Sequence, residues 1–273
     1  MKPLEERAAR AESRVIFESI YKSYNRRCYV SPDPLQFLYD YESTEDREVV
    51  GLIASGLAYG RVAQILKSTA KILACLGPEP AEFLRQSKRK DHEQALCGFV
   101  HRFTDCAEMS CFLGALGELL RRYESLEELF AEGVKPGQGP LEAMEHFAAA
   151  VCEAAKRENL YLLPRPSKGS ACKRLALFLR WMVRHDEVDP GGWSCISPAQ
   201  LLIPLDTHMF NISTTLGLCS MHSANGKAAA EITESFRQIS PEDPVKYDFA
   251  LTRYGIREEM TVQELFARWK NIS

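Results

Sequence analysis

Lys173 and Asp206, 33 positions apart, are the residues of this chain best suited to covalent chemistry on a carbon centre. Lys173 follows Leu163-Pro164-Arg165-Pro166-Ser167-Lys168-Gly169-Ser170, whose prolines and glycine prevent a continuous helix and make a loop. With Ser170 as N-cap of a helix over 171–184, Lys173 takes the third helical position, where the helix dipole places partial positive charge. Lys168, Arg174 and Arg165 add like charge around it. Both effects disfavour the ammonium form, and a neutral lysine amine can attack carbon and form a Schiff base. The plain alternative is a solvated lysine on a basic turn. Asp206 stands between the apolar run Leu201-Leu202-Ile203 and Thr207-His208-Met209-Phe210, where a helix begins. A carboxylate there can take a proton from a nucleophile or stabilise a developing sugar cation. It is also a preferred N-cap residue, a role worth about 1 kcal/mol. The two roles are compatible, because capping orients the carboxylate.

The surrounding charge is uneven. The 273 residues carry a formal net charge of −3, which gives the whole protein no pull toward nucleic acid. Between Lys156 and Arg184, however, eight Lys or Arg stand against one acid, Glu158. On a helix Lys173, Arg180 and Arg184 share one face at i, i+7 and i+11, which reads as a phosphate-binding patch or as a solvated face. His185, Asp186, Glu187 and Asp189 offer four metal-ligand types in one loop, weak evidence without a partner cluster, so no metal is expected. The nine cysteines are scattered and include no Cys-x-x-Cys pair. With an N-terminus lacking an apolar leader, they indicate free thiols and a cytoplasmic protein. No stretch approaches the roughly 20 apolar residues of a membrane span.

The elements that must position these residues are helical. Val15, Ile16, Ile20 and Tyr21 recur at helical spacing within 4–24, and Asp33-Pro34 is an N-cap followed by proline at the first helical position. Val49 to Ala58 is apolar nearly all round, the pattern of a helix buried at a domain centre. Gly60 breaks it, and Arg61 to Leu76 is amphipathic up to Gly77-Pro78. Further helical patterns cover about 79–87, 91–104, 108–122, 124–131, 140–158, 226–238 and 243–254, with a glycine- and proline-marked loop over 133–140. Trp181 and Phe178 lie on a face that reads as core. No alternating run is long enough for a sheet.

Several of these stretches resemble the helix-hairpin-helix DNA glycosylase superfamily, which includes endonuclease III and 8-oxoguanine glycosylases. Leu205-Asp206-Thr207-His208-Met209-Phe210-Asn211-Ile212 is similar to its V-D-T-H-x-x-R-(V/I) segment, and the segment from Leu163 to Leu175 stands where its hairpin L-P-G-x-G-x-K-T-A stands. Val49 to Ile72 resembles its early helix pair, and Asp243 to Gly255 its late helix ending in glycine. The Lys168–Leu175 and Pro204–His208 segments also look like an uncharacterised bacterial branch of the superfamily. The resemblance implies an all-α fold of two helical lobes with a central cleft. One lobe would span about 49–185 with the hairpin at 162–175, and the other would combine 1–48 with 186–273. It implies a base-excision glycosylase and AP lyase acting on duplex DNA with a flipped, possibly oxidised base. Lys173 would be the nucleophile and Asp206 the catalytic carboxylate. Lys168, Gly169, Ser170, Arg174, Arg180, Tyr59 and His208 would contact nucleic acid; the sequence does not fix the oligomeric state, and a monomer is the expectation.

The departures from that pattern are informative. Only Gly169 remains of the two hairpin glycines, which leaves the amides of Gly169 to Cys172 for a phosphate at a helix N-terminus. The spacing from Lys173 to Asp206 exceeds that of endonuclease III-like members, with 185–198 as the insertion, a trait similar to archaeal 8-oxoguanine glycosylases. Ala58-Tyr59-Gly60 replaces the duplex-probing Ser-x-Gln, so Tyr59 becomes a candidate wedge or base-stacking residue, or else a core tyrosine. No cysteine follows Cys219, so the iron–sulfur motif of some members is missing and no cofactor is expected. The altered hairpin keeps a second expectation open: a non-catalytic DNA- or RNA-binding module on the same fold.

Overall fold

The run Val49–Gly56, lacking a polar face, is wholly buried and forms the middle of an all-α structure. Residues 2–137, 139–256 and 265 are described in this computed structural model, with backbone alone for 2–11, 255 and 256. The helices in order are α1 (Lys2–Tyr24), α2 (Thr44–Gly56), α3 (Val62–Leu76), α4 (Pro80–Gln86), α5 (Arg89–Ala95), α6 (Cys106–Leu120), α7 (Leu126–Glu132), α8 (Pro140–Ala154), α9 (Lys173–Val183), α10 (Thr207–Thr215), α11 (Gly226–Ile239) and α12 (Asp248–Ile256). Among the described residues, no helix is long and apolar enough to cross a membrane.

Two helices and a 3-10 segment build the support for the lysine. Gly51 of α2 has no Cβ, and a Cβ there would lie 3.3 Å from both Leu38 and Phe178. The missing side chain lets α9 and the 3-10 segment Pro34–Asp40 lie close against α2. Asp33 caps that segment by accepting from the Leu35 amide at 3.0 Å, as expected, though the element is 3-10 rather than α. Beyond α9 the chain turns back on it: the Gly191 amide donates to the Trp181 carbonyl at 3.0 Å and the Trp193 amide to that of Met182 at 2.8 Å. Elsewhere α4, α5 and α8 pack on α6, while α1 rests on α11 and α12, and α10 on α12. On α1, Phe17 and Ile20 face the core, whereas Val15 points outward.

One expected helix is interrupted. Within 91–104, α5 ends at Ala95 and a small antiparallel hairpin follows: β1 (Val100–His101) pairs with β2 (Thr104–Asp105) across Arg102-Phe103. Its cause is tertiary. Buried His101 lies 2.9 Å from Ser68 Oγ, and its Nε2 donates to the Tyr59 carbonyl at 3.1 Å. Thr104 Oγ1 lies 2.7 Å from the Tyr59 hydroxyl. Those bonds fix the two strands and leave the turn outside.

Candidate active site

Lys173 and Asp206 meet. The Lys173 ammonium nitrogen lies 3.7 Å from Asp206 Oδ2 and donates to the Ala58 carbonyl at 3.4 Å. The pair is about a third and a fifth exposed, with side-chain exposures of 33% and 22%. Asp206 is the N-cap of α10, its Oδ1 accepting from the Met209 amide at 2.8 Å. One carboxylate oxygen therefore holds the cap and the other faces the amine, so the carboxylate cannot rotate away without losing the cap. Burial of Leu201 to Leu205 fixes the strand-like approach to this cap, and the Ile203 amide is tied to Thr233 Oγ1 at 3.0 Å.

Local conformation differs from the expectation at the lysine end. Cys172, not Ser170, is the N-cap of α9, so Lys173 is the first helical residue rather than the third. Ser170 instead accepts from the Cys172 amide through its Oγ at 3.1 Å, a local turn that competes with helix formation. Cys172 has φ +46, a left-handed conformation unusual for a residue with a Cβ. Its buried thiol donates to the Pro164 carbonyl at 3.3 Å, and burial pushes it up to about 11, so it is a packing thiol rather than a nucleophile. Gly169 takes φ +76 after the 3-10 turn Pro166–Lys168, and its carbonyl accepts from the Gly226 amide at the start of α11. The loop before α9 is thus pinned to the N-terminus of α11.

The cations thought to crowd Lys173 turn to other partners. Arg165 pairs with Glu145, and exposed Lys168 lies 4.0 Å from Glu158. Arg174 donates to the Gly56 carbonyl at 3.3 Å and lies over the rings of Tyr59 and Tyr161, 5.1 and 4.7 Å from their centroids. The charged group beside Lys173 is the Asp206 carboxylate, and the expected crowding by Arg165, Lys168 and Arg174 does not occur.

Two adjoining cavities, each of ≈ 450 Å³, are both lined by Ala58, Tyr59, Lys173, Asp206 and Thr207. The first is deeper in charged groups: Asp33, Arg180, Asp248 and Arg253 line it, with exposed His208 on α10. Its apolar wall includes Pro34, Val62, Ile65 and Leu177. The second is bounded by the hairpin residues Gly169, Ser170 and Arg174, with Tyr161 and Asn225 opposite. Lys168 lines neither. Tyr59 lines both, but its hydroxyl is 2.9 Å from the His101 carbonyl and its ring is covered by Arg174, so it is a fixed wall rather than a free probe.

Arg180 and Arg184 do not form a surface patch with Lys173. Arg180 is 3% exposed and pairs with Asp189 at 3.1 Å and with Asp248; Arg184 pairs with Asp186 at 2.8 Å, Asp243 at 2.9 Å and Asp189. Buried charges are tolerated only when paired, and here the partners come from the 185–189 loop and from around α12. The shared helical face was read correctly, but its opposite side is protein rather than solvent. The same pairings engage Asp186 and Asp189, two of the loop's candidate metal ligands. Trp181 and Trp193 are core residues, the latter donating through Nε1 to Glu48.

Asp248, Arg253 and Asp33 went unrecognised in the sequence. Asp248 is almost fully buried at the first turn of α12, and burial raises it to about 6, with Arg180 opposing and nearby Asp206 adding to the rise. Its Oδ1 has no hydrogen-bond partner among the described residues. Arg253 reaches Asp33 Oδ2 at 3.1 Å. A signal existed: Asp248, Thr252 and Arg253 are polar residues at helical spacing in an otherwise apolar stretch. Asp33 read only as a cap.

A family model described as "Protein of unknown function (DUF2400)" matches residues 33–257, a range that contains the hairpin, Lys173, Asp206 and Asp248; the chain belongs to that family. No curated protein and no solved structure matches it.

Proposed function

We propose that this member of the family is a DNA base-excision glycosylase with AP-lyase activity, working in a cleft between two helical lobes of the helix-hairpin-helix glycosylase kind. The observation that carries the reading is the Lys173–Asp206 pair, 3.7 Å apart at the junction of two cavities. An amine and a carboxylate at that separation can act on one reacting carbon. A base flipped from duplex DNA would enter the first cavity. Asp206 Oδ2 takes a proton from the Lys173 ammonium, and the freed amine attacks the anomeric carbon. The carbon–nitrogen bond to Lys173 forms as the glycosidic bond breaks and the base leaves with its electron pair. The C1′–O4′ bond of the sugar ring then opens, O4′ taking a proton as the nitrogen lone pair forms the C=N bond, and the Schiff base so formed permits strand cleavage by loss of a C2′ proton and departure of the 3′ phosphate. On this reading Gly169 and Ser170, which line the second cavity, would offer backbone amides to the flanking phosphates.

Borohydride trapping tests this. Wild-type protein is expected to trap covalently on duplexes carrying oxidised bases or abasic sites, and Lys173→Gln to trap none. Absence of trapping by wild-type protein across a lesion panel would refute the lyase reading. A second reading, a nucleic-acid-binding module without chemistry, draws support from Lys173 being held as an ion pair and from the hairpin's single glycine. It predicts salt-dependent DNA or RNA binding with no base release.

A further inference from the structure

The turn between β1 and β2 presents a large ring to solvent beside the cavities. Phe103 is 66% exposed at the tip and Val100, on β1, 62%. A lone exposed apolar residue is ordinary on a protein surface; it becomes a candidate contact only where it is also rigidly displayed next to a cavity. This one is: His101 and Thr104, the paired residues flanking the tip, are both buried and bound to Ser68 and Tyr59. Arg102 holds φ +53, an uncommon conformation for a residue with a side chain. Its stem lies across Gly60: a Cβ on Gly60 would be 2.8 Å from Arg102 Cδ. Gly60 itself lines the first cavity.

From Phe103 the rings run inward. Phe103 meets Tyr161 edge-on at 5.4 Å between centroids, Tyr161 meets Tyr59 at 5.1 Å, and Arg174 caps both tyrosines. Tyr161 and Arg174 line the second cavity and Tyr59 both. An aromatic path with a cation at each end, Arg102 outside and Arg174 inside, therefore links the hairpin tip to the Lys173–Asp206 pair.

Resting on the nucleic-acid reading of the cleft, we infer that this hairpin is the platform for an unpaired nucleobase next to the nucleotide held in the cavity, with Phe103 as the stacking ring and Arg102 facing the strand's phosphates. A ring at a tip cannot stack on a fully paired duplex, where both faces of each base are covered by neighbours. It can stack where one step is open. The partner is thus DNA with a gap in its stack, not intact duplex.

The test is equilibrium binding by fluorescence anisotropy, at one fixed salt concentration, of the full chain to two duplexes of the same sequence. One is fully paired and the other carries a tetrahydrofuran abasic analogue. Wild type is expected to prefer the abasic duplex about tenfold, in line with the loss of one base–aromatic stack. Phe103→Ala removes that preference and leaves paired-duplex affinity unchanged, which also shows that the variant is folded. Phe103→Trp keeps it, and Val15→Ala, an exposed apolar residue on α1, has no effect. Equal preference in Phe103→Ala and wild type overturns the inference, as does absence of preference in wild type. Trapping through Lys173 is scored separately: trapping with no Phe103 dependence sinks the platform alone. A Phe103-dependent preference without trapping sinks the enzyme reading and keeps the platform. Wild type binding neither duplex sinks both.

Discussion

Asp206 caps α10 with one carboxylate oxygen and turns the other toward Lys173, and if it is the proton acceptor of the proposed reaction the two roles separate by substitution. Asparagine caps helices as well as aspartate does but carries no charge. Asp206→Asn is expected to stay within about 0.5 kcal/mol of wild-type stability while trapping falls by a hundredfold or more. Asp206→Ala loses the cap as well, at a further cost of about 1 kcal/mol. Denaturant melts alongside trapping separate the effects, and wild-type trapping by Asp206→Asn would leave Asp206 as a cap only. Lys173 shows how little sequence neighbours say about charge at this scale. Sequence neighbours Lys168, Arg165 and Arg174 looked decisive for its charge, yet each side chain points elsewhere. Adjacency along a turn does not fix direction in space.

At the scale of elements, α2 is the template for the site. It ends at Gly56 and leads to Ala58, whose carbonyls receive Arg174 and Lys173, and its face against α9 depends on Gly51. Gly51→Val would push branched carbon into Leu38 and Phe178. The expected cost is about 1–3 kcal/mol by overpacking, read from denaturant midpoints, with reduced trapping because α9 carries Lys173. Wild-type stability in that variant would show that α9 can shift freely. The buried helix running through 49–56 and the cap at Asp206 were legible because each follows from local pattern. The hairpin at 100–105 was not, because His101 and Thr104 take their conformation from Ser68 and Tyr59, more than 30 positions away.

At the scale of the molecule, buried carboxylates tie distant segments together and set a pH dependence. Glu48 of α2 accepts from the amides of Leu126 and Glu127 and from Trp193 Nε1, joining α2 to α7 and to the loop after α9. Burial raises it to about 7 against an ordinary value of 4.5, the three donors opposing. A raised folded-state value means that the folded protein binds the proton more tightly than the unfolded chain. Its contribution to stability is therefore fully present below pH 4.5 and is lost as pH climbs through 7. Glu48→Gln removes this slope. The stability of wild type relative to the variant is expected to fall by on the order of 3 kcal/mol over that window, measured by unfolding at a series of pH values. Parallel curves for the two proteins would contradict the assignment. Asp248, raised to about 6, adds a slope of the same sign.

The sequence by itself determined the helical class, the buried central helix, the loop before Lys173 and the helix start at Asp206. All of these rest on periodicity, proline and glycine placement, and capping, which act over a few residues. Only the tertiary structure decided that Lys173 and Asp206 share one site, that Arg180 and Arg184 are buried among aspartates, and that Asp248 lines the cavity. Those outcomes depend on which helix faces lie opposite one another, a choice made by packing between segments far apart in sequence, 68 positions for Arg180 and Asp248 and 220 for Asp33 and Arg253. One-dimensional spacing names the face a residue occupies; the neighbour across that face decides whether its charge meets water, a carboxylate or a ligand.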